Sequence, residues 1–185
     1  MRRQPSGTIA VCRRNLVDPI RVACDHAVQP AVNQPVDEGE SSVPVTDRLT
    51  AVPGVSPGPG FAHAVTVSGP LAFVSGQVAL DAAGQVVAPG DLRAQTRQAL
   101  SNLGAILHAL SADWADVVRF SWYVLDASDV QVIRDVRDEV IGPALGGRAN
   151  PASTLVQVAA LFRPEFLVEV DAVVALTGSQ AAGLS

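Results

Sequence analysis

The sequence predicts an α+β domain: a mixed β-sheet with two helices packed on one face. Three observations lead there. Apolar residues follow strand-like patterns from about residue 63, switch to three- and four-residue steps across residues 92–110, and return to β-type runs at 117–125 and 166–176. Strong turn formers such as Gly69-Pro70 and Gly142-Pro143 separate these segments. Residues before Phe61 show neither period and end in the breaker-rich PGVSPGPG.

Residues 63–67 (HAVTV) and 71–77 (LAFVSGQ), either side of Gly69-Pro70, read as two short strands in a hairpin. A turn at 81–84 and a short strand at 85–87 follow. Leu92, Thr96, Ala99, Leu100, Leu103, Ile106, Leu107 and Leu110 then recur at helical steps, with Asp91 placed to cap that helix. The run VVRFSWYVL is rich in β-branched and aromatic residues, which favours a strand. A second helix begins near Ser128, buries Val130, Ile133, Val136 and Val140, and is expected to stop at Gly142-Pro143. Strands at 154–161 and 166–176, joined by a turn containing Arg163-Pro164, complete the domain. Alternation puts Leu167, Glu169, Asp171 and Val173 on one face of the last strand, with Phe166, Val168, Val170 and Ala172 on the other. Both faces carry apolar groups, so both are expected to be covered.

Charge and composition narrow the function classes. All 13 basic residues are arginine, which excludes a lysine Schiff base or lysine general base, and the 18 acidic residues bring the net charge to −5. Nucleic-acid binding needs clustered positive charge, so no nucleic-acid partner is expected. Cys12 and Cys24 have no metal-ligand spacing, and no apolar run is long enough for a membrane span. Arg2, Arg3, Arg13, Arg14 and Arg21 invite a targeting-peptide reading that Asp18 and Asp25 interrupt. The expectation is a cytoplasmic protein with a disordered extension and linker at residues 1–52, a domain at 53–177 and a tail at 178–185.

Few residues are suited to chemistry. Glu169 and Asp171 share a strand face about 7 Å apart, as a solvated edge, an ion-pair partner or a working carboxylate would. Ser75-Gly76 could simply end a strand. His26, His63 and His108 lack partners in sequence, so no metal site is expected.

Taken together, GPLAFVSGQVALDAAGQVV, DLRAQTRQALSNLGAIL and NPASTLVQVAALFRPEFLVEVDAVVAL resemble the Rid family, also called the YjgF or reactive-intermediate-deaminase family. The resemblance implies a fold similar to Bacillus chorismate mutase, assembled as a homotrimer whose sheets form a central barrel. It implies a small-molecule ligand at each subunit interface and no cofactor. VEVDAV matches the family's I-E-I-E-A-I, making Glu169 the residue that positions and activates water. SGQ places Ser75 and Gly76 against the ligand, and Phe61 falls where many members have a tyrosine over the pocket. The family's P-A-R arginine, which grips a substrate carboxylate, corresponds to Ser153, with Leu155 beside it on the same strand face. Arg148 and Arg163 are the nearby candidates to replace that arginine. The resemblance thus implies a protein that binds a small metabolite in an interfacial cleft and, with Ser153 in place of the arginine, is not expected to show standard 2-imino acid deaminase activity, or alternatively an enamine/imine deaminase of altered substrate range. Ribonuclease activity, an older family assignment, fits poorly with the acidic balance.

Overall fold

The computed structural model describes residues 44–56 and 60–183. Cys12, Cys24, His26 and most of the expected extension lie outside the described residues. Strand β1 (Val45–Leu49) pairs antiparallel with β2 (Ala64–Val67) in a two-stranded ribbon. The remaining strands β3 (Leu71–Gln77), β4 (Val117–Val124), β5 (Ala152–Gln157) and β6 (Val168–Ala175) form a sheet in the order β3-β6-β4-β5.

Helices α1 (Leu92–Ala109) and α2 (Val130–Leu145) cover one face of that sheet. The α+β expectation therefore holds, and the period that predicts it is visible in the packing. On α1, Thr96, Ala99, Leu100, Leu103 and Leu107 are buried, and the Asp91 side chain accepts a hydrogen bond from Ala94 N. Ile133 and Val136 on α2 meet Phe120 and Trp122 of β4 and Val168, Val170, Ala172 and Val174 of β6 in one core. Burial along β6 alternates as the sequence predicts.

Several connections differ from expectation. β2 and β3 do not form a hairpin; β2 pairs with β1, and β3 crosses to β6. Strand pairing is a tertiary choice that local alternation does not encode. Residues 85–87 contribute one isolated bridge, Leu80 to Val86, instead of a strand. The last two strands are not neighbours, because β5 runs parallel to β4 and β4 lies between it and β6. Pro143 sits inside α2, which continues to Leu145 and ends at Gly146 with φ of 57°. Near the end of a helix a proline forfeits one hydrogen bond without breaking the preceding turns. Within the expected tail, Gly178–Ala182 forms a single-turn helix α3 capped by Thr177.

Gln95 is a buried polar residue on the apolar side of α1. Its Nε2 donates to Glu165 O at 2.8 Å and its Oε1 accepts from Leu167 N at 2.8 Å, so the helix fixes the entry into β6. A backbone donor and a backbone acceptor that would otherwise be left unpaired are satisfied by one side chain.

β1 falls within the segment expected to be an extension. Beyond its pairing with β2, Arg48 donates from Nη2 to Ala115 O at 2.9 Å and Val117 O at 3.0 Å, pinning the start of β4. A chain starting at Pro44 is therefore expected to melt like the full protein. One starting at Pro53 should lose about 2 kcal/mol in urea denaturation, from the ribbon and these bonds. Equal stability of the two truncations would show that β1 contributes nothing to the fold.

Candidate functional site

The sequence-predicted site residues fall into two groups. Phe61, Ser153 and Leu155 line a cavity of about 290 Å³ between the sheet and α2. Parallel pairing sets Ser153 beside Phe120 and Leu155 beside Trp122, so both point to the helix-covered side. Trp122, Val130 and Ile133 extend the apolar wall, and α2 adds Arg134 and Arg137.

Arg137 is the residue that sequence reasoning missed. It is only 5% exposed, and its Nε donates to Asp138 Oδ1 at 2.8 Å. Asn150, three residues before Ser153, donates to the same Asp138 oxygen at 3.2 Å and to Gly60 O at 2.8 Å. The two arginines proposed as replacements are engaged elsewhere. Arg148 folds back on α2, donating from Nε to Leu145 O at 3.0 Å. Arg163 lies over Phe162 and Phe166, 5.9 Å from each ring centroid.

The second group sits on β3 and β6. Their register breaks between Val74 and Gln77, leaving Ser75 and Gly76 in a bulge. Gly76 is bare where Glu169 crosses it: an added Cβ would stand 2.7 Å from Glu169 Cδ. Tyr123 of β4 lies opposite Glu169, and its hydroxyl donates to Asp171 Oδ2 at 3.0 Å. That bond, reinforced by the Asp171 charge, raises the Tyr123 pKa. Asp171 is thus a structural acceptor. Glu169 has no hydrogen-bond partner among the described residues, and burial followed by the Asp171 charge pushes its pKa above the usual carboxylate range.

The Glu169 shift has a direction in stability. A carboxyl group with a raised folded-state pKa stabilises the fold below its unfolded pKa, and that contribution is lost as pH rises through the folded value. Glu169→Gln is therefore expected to melt above wild type at neutral pH, with the difference vanishing below about pH 4. Parallel melting curves across that range would place Glu169 in a freely solvated setting.

Within one chain the two groups do not meet. Ser75 and Gly76 belong to one outer strand and Ser153 and Leu155 to the other, with β6 and β4 between them. At about 4.8 Å per strand step the outer strands are roughly 14 Å apart. Glu169 also lies on the face away from the helices, opposite the cavity. His63, 5.8 Å from the Phe61 ring, belongs to neither group's lining, and its Nε2 is buried without a partner among the described residues. No group of His, Cys, Asp or Glu among the described residues is arranged to hold a metal. No helix among the described residues is long and apolar enough to cross a membrane.

A four-stranded mixed sheet backed by two helices matches the fold of solved Rid proteins. YyfB of Yersinia pestis, a Rid-family protein, superposes with a TM-score of 0.62 at 36% identity, over 70% of this chain and 98% of that one. RidA from an Antarctic Psychrobacter gives 0.52 at 27% identity, over 73% and 99%. The family model described as Endoribonuclease L-PSP matches residues 55–176, and the chain belongs to that family, the Rid or YjgF family. Protein DfrA of Myxococcus xanthus is 38% identical over 61% of this chain and 82% of its own length. The 2-iminobutanoate/2-iminopropanoate deaminase of Mus musculus is 34% identical over 61% and 78%.

Proposed function

We propose that the protein is a homotrimeric, cytoplasmic Rid protein that binds a small metabolite in a cleft between subunits and hydrolyses standard 2-imino acids weakly. The separation of the two residue groups supports an interfacial cleft. An outer strand of one copy, carrying Ser153 and Leu155, can approach the outer strand of another that carries Ser75 and Gly76, with Glu169 on the neighbouring β6. The uncovered sheet face supports assembly as well, since Leu71, Phe73 and Val156 are 42%, 78% and 42% exposed there. Light scattering tests this part, and a monomer at micromolar concentration would remove the shared cleft.

In the reaction of this family's deaminases, water adds to an imine carbon, the C=N bond becomes C=O, and ammonia leaves. Glu169, half-buried and with a raised pKa, is suited to take the water proton. The observation that carries the weak-activity reading is Ser153. A hydroxyl in the cavity cannot supply the two parallel, charge-assisted bonds that an arginine gives a carboxylate. Ammonia release from freshly generated 2-iminopropionate should be slow in wild type and rise about tenfold in Ser153→Arg. The gain is held down because Arg134 and Arg137 already bring positive charge to that cavity. A wild-type rate equal to that of the mouse deaminase would overturn the reading.

One observation favours a second reading, an enamine/imine deaminase of altered range. Arg137 stands in the same cavity as Ser153 and could receive a carboxylate from the helix side. Its ligand would need a longer or bulkier apolar body than 2-iminopropionate, which the Phe61, Trp122 and Leu155 walls would hold. Faster ammonia release from an aromatic or branched imino acid than from 2-iminopropionate would select this reading.

A further inference from the structure

We infer that Tyr123 and Asp171 are positioning residues for Glu169: the single hydroxyl proton of Tyr123 is committed to Asp171, which holds a negative charge beside Glu169 and leaves Glu169 as the carboxylate open to the proton of water. The inference rests on Glu169 as the water-activating base of the proposed deaminase, and adds two neighbours that act through it.

The geometry of the open sheet face carries it. Glu169 and Asp171 project from β6 on the side away from the helices, where antiparallel pairing sets Tyr123 of β4 opposite Glu169 and Ser121 opposite Asp171. Tyr123 nonetheless passes over its direct neighbour. Its hydroxyl donates one pair further along, to Asp171 Oδ2 at 3.0 Å. Glu169 leans the other way, with its end over Gly76 of β3, and accepts no hydrogen bond among the described residues. A phenol has one proton to give, so two carboxylates on one face are treated unequally. The carboxylate left without a donor has its ionised form unsupported and is the better proton acceptor.

No positive charge in the sheet offsets this arrangement. β3 and β5 carry no charged residue. Arg119 is the only charged residue of β4, and its Nη2 donates to Thr154 Oγ1 at 3.1 Å, on the side of β4 away from β6. Burial, followed by the Asp171 charge, raises the Glu169 pKa. The bond to Asp171, followed by that same charge, raises the Tyr123 pKa, so the phenol remains a donor through neutral pH. A carboxylate with a higher pKa takes a proton more readily once ionised, but ionises only at higher pH. The acidic limb of the rate profile therefore reports what Asp171 does to Glu169.

Two measurements separate this inference from the reading beneath it. The Glu169 carboxyl carbon is titrated by NMR in the full chain, its signal assigned by its loss in Glu169→Gln. The pH profile of kcat/KM for 2-iminopropionate is recorded with each variant made in the Ser153→Arg background. Asp171→Asn retains an acceptor for Tyr123 and removes the charge. It should move the Glu169 titration and the acidic limb together to lower pH. Tyr123→Phe frees Asp171 to turn toward solvent, away from Glu169, and should move both in the same direction by less. A purely structural role would lower the plateau and leave the limb in place. An unmoved Glu169 titration in Asp171→Asn would overturn the inference and leave Glu169 standing as the base. A plateau about a hundredfold lower in Tyr123→Phe, with the limb unshifted, would also overturn it by making Tyr123 itself the group that exchanges the proton. Full activity in Glu169→Gln would remove the base and this inference together.

Discussion

Gly76→Ala is expected to lower imine hydrolysis about hundredfold, as far as Glu169→Gln does, because general-base assistance supplies at least that factor. The reason is steric. A methyl group at residue 76 would occupy the space of the Glu169 side chain, whose end is free to swing away from the strand bulge. The fold should survive, since the displaced atoms are the tip of a flexible chain and not backbone. Both variants are best measured in the Ser153→Arg background, where the rate is large enough to lose two orders of magnitude. A Gly76→Ala protein with full activity would show that the position of Glu169 over the bulge is irrelevant to turnover.

Trp122→Ala should be the most destabilising single change, at about 3–5 kcal/mol in chemical denaturation. Trp122 is 2% exposed, packs 5.8 Å from the Phe120 ring, and also walls the Ser153 cavity. Its loss would leave a void between the sheet and α2 that the flanking elements cannot close. Phe73→Ser provides the contrast, since Phe73 stands 78% exposed on the uncovered face. In a monomer that change should be nearly silent, whereas in the proposed trimer, whose melting temperature rises with protein concentration, it should lower that temperature. A loss under 1 kcal/mol for Trp122→Ala would mean that the cavity wall repacks freely.

The helices and the alternation of β6 were legible because each rests on a local period. Leu100, Leu103 and Leu107 recur on one side of α1, and Val168, Val170 and Ala172 alternate with Glu169 and Asp171. Pairing was not legible. The partners of β2 and β3 depend on which edges are free once the helices dock, and nothing within residues 63–77 encodes that. β1 was hidden by the turn-forming residues around it.

The site was half legible for a similar reason. Motif resemblance located Phe61, Ser153 and Leu155 on one side and Ser75, Gly76 and Glu169 on the other. It could not show that opposite edges of the sheet separate them. Arg137 did leave a signal. It continues the helical spacing of Val130 and Ile133 toward Ile141, so a charged residue stood on the stripe that must be buried. The same spacing marks Gln95 on α1, between Leu92 and Ala99. Polar side chains on an apolar stripe point to an internal partner or a cavity.

The strand order also constrains how the chain reaches its native state. β4, α2 and β5 are consecutive and form a compact crossover with parallel strands, so their contacts close short loops. β3 meets β6 across nearly the whole domain, with both helices and two strands intervening in sequence. Closing that loop carries a larger entropic cost and gains nothing until β6 has docked on β4. The β4-α2-β5 unit is therefore the natural nucleus, and the bulge that seats Ser75 and Gly76 under Glu169 is among the last structure to form. During synthesis the residues of β3 must wait for the C-terminal strand to be made, so the chemistry-bearing edge is completed only when the domain is.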